Sequence, residues 1–141
     1  MAPDILLVED NEHHVELTLR ALGKLQLDRR VHVARDGLEA LQFLFPESEV
    51  ATDGRRLRLI LLDLKMPRVS GLELLERIKN DERTSLIPVV ILTSSQDARD
   101  MVEGYRRGAN SYISKPTGFG KFTETVGLVA QYWLGVNEQP L

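Results

Sequence analysis

The chain contains no cysteine. That absence removes disulfides, zinc–thiolate centres, iron–sulfur clusters and thiol nucleophiles, and it fits a reducing cytoplasm. Long apolar runs are missing too. The N-terminus, Met1-Ala2-Pro3-Asp4, has no basic segment, the apolar run from Ile5 to Val8 is short, and Leu86 to Leu92 is broken by Pro88. None of these approaches the roughly 20 apolar residues of a membrane span or the shorter core of a secretory leader, so a soluble, cytoplasmic protein is expected. Positive charge is not in excess: 18 Lys and Arg against 21 Asp and Glu leave a net charge of −3. A face that grips nucleic-acid phosphates in general is therefore not expected. What is present is ordinary for one globular domain: 141 residues, 43% hydrophobic and 28% charged.

Four short apolar runs stand out, Ile5–Val8, Leu59–Leu62, Val89–Leu92 and Tyr112-Ile113, with a weaker one at Val31-His32-Val33. The first three are continuously apolar, as strands covered on both faces of a parallel sheet must be. Helical periodicity fills the intervals. Ala98, Met101, Val102 and Tyr105 form one stripe, stopped by Arg106-Arg107-Gly108; Phe122, Val126, Val129 and Trp133 form another. Asp36-Gly37 and Ser70-Gly71 punctuate helix starts. Strand followed by helix, five times over, predicts an α/β fold: a doubly wound, five-stranded parallel sheet of order 2-1-3-4-5 with helices on both faces. The polar stretch Pro46–Arg56 interrupts this rhythm and reads as a surface loop insertion. The whole of 1–141 is read as one domain with a short tail over 135–141; the 25 or so residues after Pro116 suffice for one helix and that tail, so no output domain is expected.

Ligands of such sheets bind beyond the carboxyl ends of the strands, where strand order reverses. The first strand runs into Glu9-Asp10 and the third into Asp63. In the 2-1-3-4-5 order these strands are neighbours, so three carboxylates converge. Two like charges about 4 Å apart repel by roughly 4 kcal/mol at an effective dielectric near 20. A hard divalent cation, Mg²⁺ or Ca²⁺, relieves that repulsion. Read singly, Asp10 or Asn11 is equally an N-cap for the following helix, as is Thr93, and Lys115 is a solvated loop lysine. Read together, Thr93 closing the fourth strand and Lys115 following the fifth bring a hydroxyl and an ammonium to the same edge, which is what a phosphorylated carboxylate requires. A cis Lys115–Pro116 bond, inexpensive before proline, would aim Lys115 inward.

These residues resemble a known family. Glu9-Asp10, Asp63-Leu64-Lys65-Met66-Pro67, Ser70-Gly71, Thr93-Ser94 and Lys115-Pro116, in this order at strand ends, are similar to the receiver domain of two-component response regulators over roughly residues 4–134. The resemblance implies that Asp63 is the phosphoacceptor and that Mg²⁺ is held by Glu9, Asp10, Asp63 and the backbone carbonyl of Lys65. It implies that Lys115 and Thr93 contact the phosphoryl group and that Tyr112 is the aromatic partner of Thr93 in a switch. The Pro46–Arg56 insertion, the helix from Phe122 to Gln131-Tyr132-Trp133-Leu134 and the tail Asn137-Glu138-Gln139-Pro140 resemble, more narrowly, the single-domain regulators of phytochrome-type histidine kinases. The partners so implied are a histidine kinase of bacteriophytochrome type and a downstream protein, with no nucleic acid and no membrane. The phosphorylatable histidine belongs to the kinase, so His13 and His14 are read as solvated surface residues.

Leu128 and Tyr132 project from the flank of the last helix, and a homodimer is expected through the fourth helix, fifth strand and fifth helix. The protein is not expected to be an enzyme beyond its own phosphorylation and dephosphorylation. Two other readings compete. A phosphatase of haloacid dehalogenase type also uses a strand-end Asp, but carries a second Asp two positions later, where Lys65 stands. A degenerate receiver, acting without phosphorylation, would have lost Asp63 or Lys115. A dinucleotide site is excluded by Glu9-Asp10-Asn11-Glu12, which lacks the glycine-rich turn and repels pyrophosphate.

Overall fold

The computed structural model describes residues 3–47 and 57–140. Its strands are β1 (Ile5–Val8), β2 (Val31–Ala34), β3 (Leu59–Leu62), β4 (Val89–Thr93) and β5 (Ser111–Ser114). They form one parallel sheet of order β2-β1-β3-β4-β5, as expected from the strand–helix alternation. The helices between them are α1 (Glu12–Gly23), α2 (Gly37–Leu44), α3 (Gly71–Lys79), α4 (Ala98–Arg106) and α5 (Phe119–Gln131).

Alternate side chains of each central strand enter opposite cores, which is why these runs are apolar at every position. Leu6, Val8, Ile60, Leu62, Val89 and Ile91 join Leu44, Leu74, Leu75 and Ile78 on the α2–α3 face. Ile5, Leu7, Leu59, Leu61, Val90 and Leu92 join Val15, Leu22, Phe122 and Val126 on the α1–α5 face. Helix starts are capped as read: Asp36 accepts from the Glu39 N–H and Ser70 from the Glu73 N–H. Among the described residues no helix is long and apolar enough to cross a membrane.

Two helices show what their apolar stripes meet. The apolar stripe of α4 faces solvent: Met101, Val102 and Tyr105 are 44%, 53% and 51% exposed, and only Gly104 is buried. The helix meets the sheet through its smallest residue, since a Cβ on Gly104 would lie 2.8 Å from Ile91 Cδ1. Periodicity reveals that a helix has an apolar face, not what that face meets. On α5, Phe122, Val126 and Val129 are buried and Trp133 is half-buried, while Leu128 and Tyr132 are exposed, as read. That helix then widens into a π turn over Tyr132–Val136, and the tail folds back: Arg58 donates to the Leu134 carbonyl (2.6 Å), and Gln139 to that of Arg58 (2.7 Å). The insertion expected over Pro46–Arg56 falls largely on residues 48–56, outside the described residues.

Candidate functional site

Val8 and Leu62 are register partners at the ends of β1 and β3, so the residues that follow them leave the sheet side by side. The Asp63 N–H donates to the Val8 carbonyl at 3.0 Å. Glu9, Asp10 and Asp63 each bring a carboxylate oxygen to within 4.8 Å of the others, with Glu9 and Asp63 buried and Asp10 exposed. Asp10 is not spent on capping α1; Asn11 does that, accepting from the His14 N–H at 3.1 Å. Close packing at the start of α3 steadies Asp63: a Cβ on Gly71 would lie 2.4 Å from the Asp63 carbonyl oxygen, and Asp63 Oδ1 accepts from the Leu64 N–H at 2.8 Å.

The crowding has an electrostatic signature. Burial, and then the charge of Asp63, push the Glu9 carboxyl up to about 7, against the opposing pull of Lys115 and the Asn11 N–H. Three clustered carboxylates, one of them raised this far, form an all-oxygen donor set suited to a hard divalent cation.

Lys115 is the local counter-charge, its side chain only 4% exposed. Its Nζ lies 2.5 Å from Glu9 Oε1 and 3.5 Å from Asp63 Oδ2. Among the described residues no peptide bond is cis, which settles the Lys115–Pro116 bond, open from the sequence, as trans. The backbone aims Lys115 inward without a cis bond, because the Lys115 N–H donates to the Thr93 carbonyl at 2.7 Å and extends the β4–β5 pairing by one residue.

His14 corrects an expectation. It is not a solvated surface residue: its side chain is 26% exposed, its ring stacks on Phe122 at 5.5 Å, and its Nδ1 lies 2.9 Å from Lys115 Nζ. Burial, then the Lys115 charge, lower its pKa below the usual imidazole value. His13, one position earlier, is exposed as read. Nothing local in the sequence joins residues 14 and 115; the sheet order does.

Thr93 is fully buried, and its hydroxyl accepts from the Ser95 N–H at 3.3 Å. It does not cap α4; Asp97 does. Tyr112, opposite Ile91, packs its ring near Gly104 and 6.4 Å from the Tyr105 ring. Among the described residues its enclosed hydroxyl makes no hydrogen bond of good geometry, and burial pushes the phenol up against the opposing pull of the nearby Ser95 side chain. The Lys65 side chain turns away from the acidic cluster to pair with Asp100 on α4 at 3.6 Å, where the Ser95 hydroxyl also donates. Asp100 was not legible as a site neighbour, being one carboxylate among several on an exposed helix.

These features correspond to a family. Residues 5–127 match the response regulator receiver domain. The chain is 43% identical over 137 residues to a probable methanogenesis regulatory protein, FilR2, of Methanothrix harundinacea, covering 96% of this chain and 86% of that protein. It is 35% identical over 130 residues to response regulator Rcp1 of Synechocystis, covering 92% and 88%. Among solved structures, the phosphorylated cyanobacterial phytochrome response regulator RcpA superposes with a TM-score of 0.90 at 34% identity over the full length of both chains. The Mn²⁺-bound form of Rcp1 gives 0.87 at 31% identity, covering 99% and 100%. The bacteriophytochrome response regulator AtBRR gives 0.71 at 42% identity, covering 100% and 98%.

The chain therefore belongs to the response regulator receiver family. It is a phosphorylation-activated component of two-component signalling, homologous to the single-domain phytochrome response regulators. Receiver domains bind divalent metal, and the acidic cluster for it is present here.

Proposed function

We propose that Asp63 is the phosphoacceptor and that the cognate donor is the phosphohistidine of a phytochrome-type kinase. The observation that carries this is the meeting of Glu9, Asp10 and Asp63 around the buried ammonium of Lys115. A carboxylate oxygen of Asp63 attacks phosphorus in line. The new O–P bond forms as the N–P bond of the donor breaks, and the imidazole leaves with the electron pair. The product is an aspartyl phosphate. Glu9, Asp10, Asp63 and the Lys65 carbonyl are the groups that would hold Mg²⁺, which, when bound, supplies charge neutralisation for the incoming phosphoryl group.

Lys115 is suited to neutralise a phosphoryl oxygen, and Thr93 to donate a hydrogen bond to one. Thr93 moving toward the phosphoryl group would vacate space that the Tyr112 ring could enter. The α4–β5–α5 surface would then be remodelled, a local charge driving a two-state element. Exposed Met101, Val102 and Tyr105 on α4, with Leu128 and Tyr132 on α5, support homodimerisation through that surface. The receiver domain would then signal by protein contact, in the cytoplasm. Its chemistry is its own phosphorylation and dephosphorylation; Lys65, two positions after Asp63, stands where a haloacid dehalogenase-type phosphatase carries its second Asp.

Labelling with a small phosphodonor tests the assignment. The parent should acquire a base- and hydroxylamine-labile phosphoryl group, as an acyl phosphate is, and Asp63→Asn should not. Label retained by Asp63→Asn refutes it.

A further inference from the structure

We infer that His14 is a positioning residue for Lys115, accepting a hydrogen bond from its ammonium and holding it beside Asp63 through the phosphorylation cycle. This rests on the assignments of Asp63 and Lys115 made above.

The lysine ammonium has three N–H donors, and three acceptors surround it: Glu9 Oε1 at 2.5 Å, His14 Nδ1 at 2.9 Å and Asp63 Oδ2 at 3.5 Å. Two of these are carboxylates of the acidic cluster. Their charge is the very quantity that changes when a cation binds or when Asp63 is phosphorylated. His14 alone among the three is not a carboxylate of that cluster, so its bond to Lys115 does not draw on the charge that changes.

The His14 backbone is fixed in the first turn of α1, and its ring is packed from one side. The His14 N–H is bound by the Asn11 cap at 3.1 Å, its carbonyl accepts from Thr18 Oγ1 at 2.8 Å, and the ring stacks on Phe122 from α5. A flexible lysine thereby meets an imidazole that α1 positions and Phe122 packs. Accepting at Nδ1 places the ring proton on Nε2. The result is a lysine whose reach is set from α1 as well as by the opposite charges around it.

The test is a mutant cycle on the phosphorylation rate from acetyl phosphate at saturating Mg²⁺, with melting temperature as the control for folding. His14→Ala should slow phosphorylation about tenfold, within the range of coupling between contacting residues. His14→Gln, which retains an acceptor oxygen, should recover most of that loss. In a Lys115→Ala background, His14→Ala should slow the reaction no further. The inference is overturned by a parent-like rate in His14→Ala. It is equally overturned by a His14→Gln variant that melts like the parent yet reacts like His14→Ala, or by the full His14→Ala effect persisting without Lys115. Label on Asp63→Asn would instead overturn the acceptor assignment, and this role with it.

Discussion

Lys115 Nζ and Glu9 Oε1 lie 2.5 Å apart although 106 positions separate them in the chain. Without a metal ion this pair is the main local relief of the acidic cluster, and it is incomplete, since the Glu9 carboxyl is still pushed up to about 7. Glu9 thus holds its proton more tightly in the folded protein than in the unfolded chain.

The consequence for stability follows from linkage. For a carboxyl raised from 4.5 to about 7, the contribution is fully present below pH 4.5 and is lost as pH rises to about 7. Metal-free protein should therefore lose stability from this group between those values. Glu9→Gln, neutral at every pH, should flatten that decline and melt higher than the parent at pH 8 without metal. Melting curves from pH 5 to 8 check it, and a parent-like slope in the variant would count against the raised carboxyl.

Divalent metal should reverse the deficit. A ligand that binds only the folded site at 100 times its dissociation constant stabilises by about 2.7 kcal/mol, so Mg²⁺ should raise the melting temperature, and Asp10→Ala should blunt the rise. Lys115→Ala should leave the response at least as large, because Lys115 competes with the metal for Glu9. It should also weaken the structural response to phosphorylation. A thermal shift series in Mg²⁺ measures the metal effects.

Gly71→Ala probes the scaffold beneath Asp63. The new methyl would sit 2.4 Å from the Asp63 carbonyl oxygen and 2.5 Å from Leu64 Cα, both rigid backbone. A loss of about 1–3 kcal/mol or more in denaturant unfolding is expected from such overpacking, together with slower phosphorylation as Asp63 shifts. An unchanged midpoint would show that the β3–α3 turn yields easily.

The proposed dimer is tested at Tyr132, which is 48% exposed on the flank of the last helix. Tyr132→Asp places a charge on that surface without disturbing the buried stripe of α5. Sedimentation velocity should show weaker self-association than in the parent, before or after phosphorylation. Equal association would move the interface elsewhere.

The sheet order, the caps at Asp36 and Ser70, and the meeting of Glu9, Asp10 and Asp63 were legible from residue order alone. Buried parallel strands are continuously apolar, and a parallel β1–β3 pair must bring its strand ends together. Other features depended on relations across the sheet. His14 looked solvated because nothing within α1 marks the side that faces Lys115. The stripe of Met101, Val102 and Tyr105 marked a helix but not the side it turns to solvent, because amphipathic spacing is indifferent to direction.

By itself the amino-acid order determined which residues end each strand, hence which charges share the sheet's carboxyl edge. Only tertiary structure decided that Lys115 reaches Glu9 and His14 through a trans Pro116 linkage, that Asn11 rather than Asp10 caps α1, and that α4 docks by Gly104. The physical reason is range. Periodicity and capping act over about four residues, whereas the electrostatics of this site join residues a hundred positions apart that meet only once the sheet has formed.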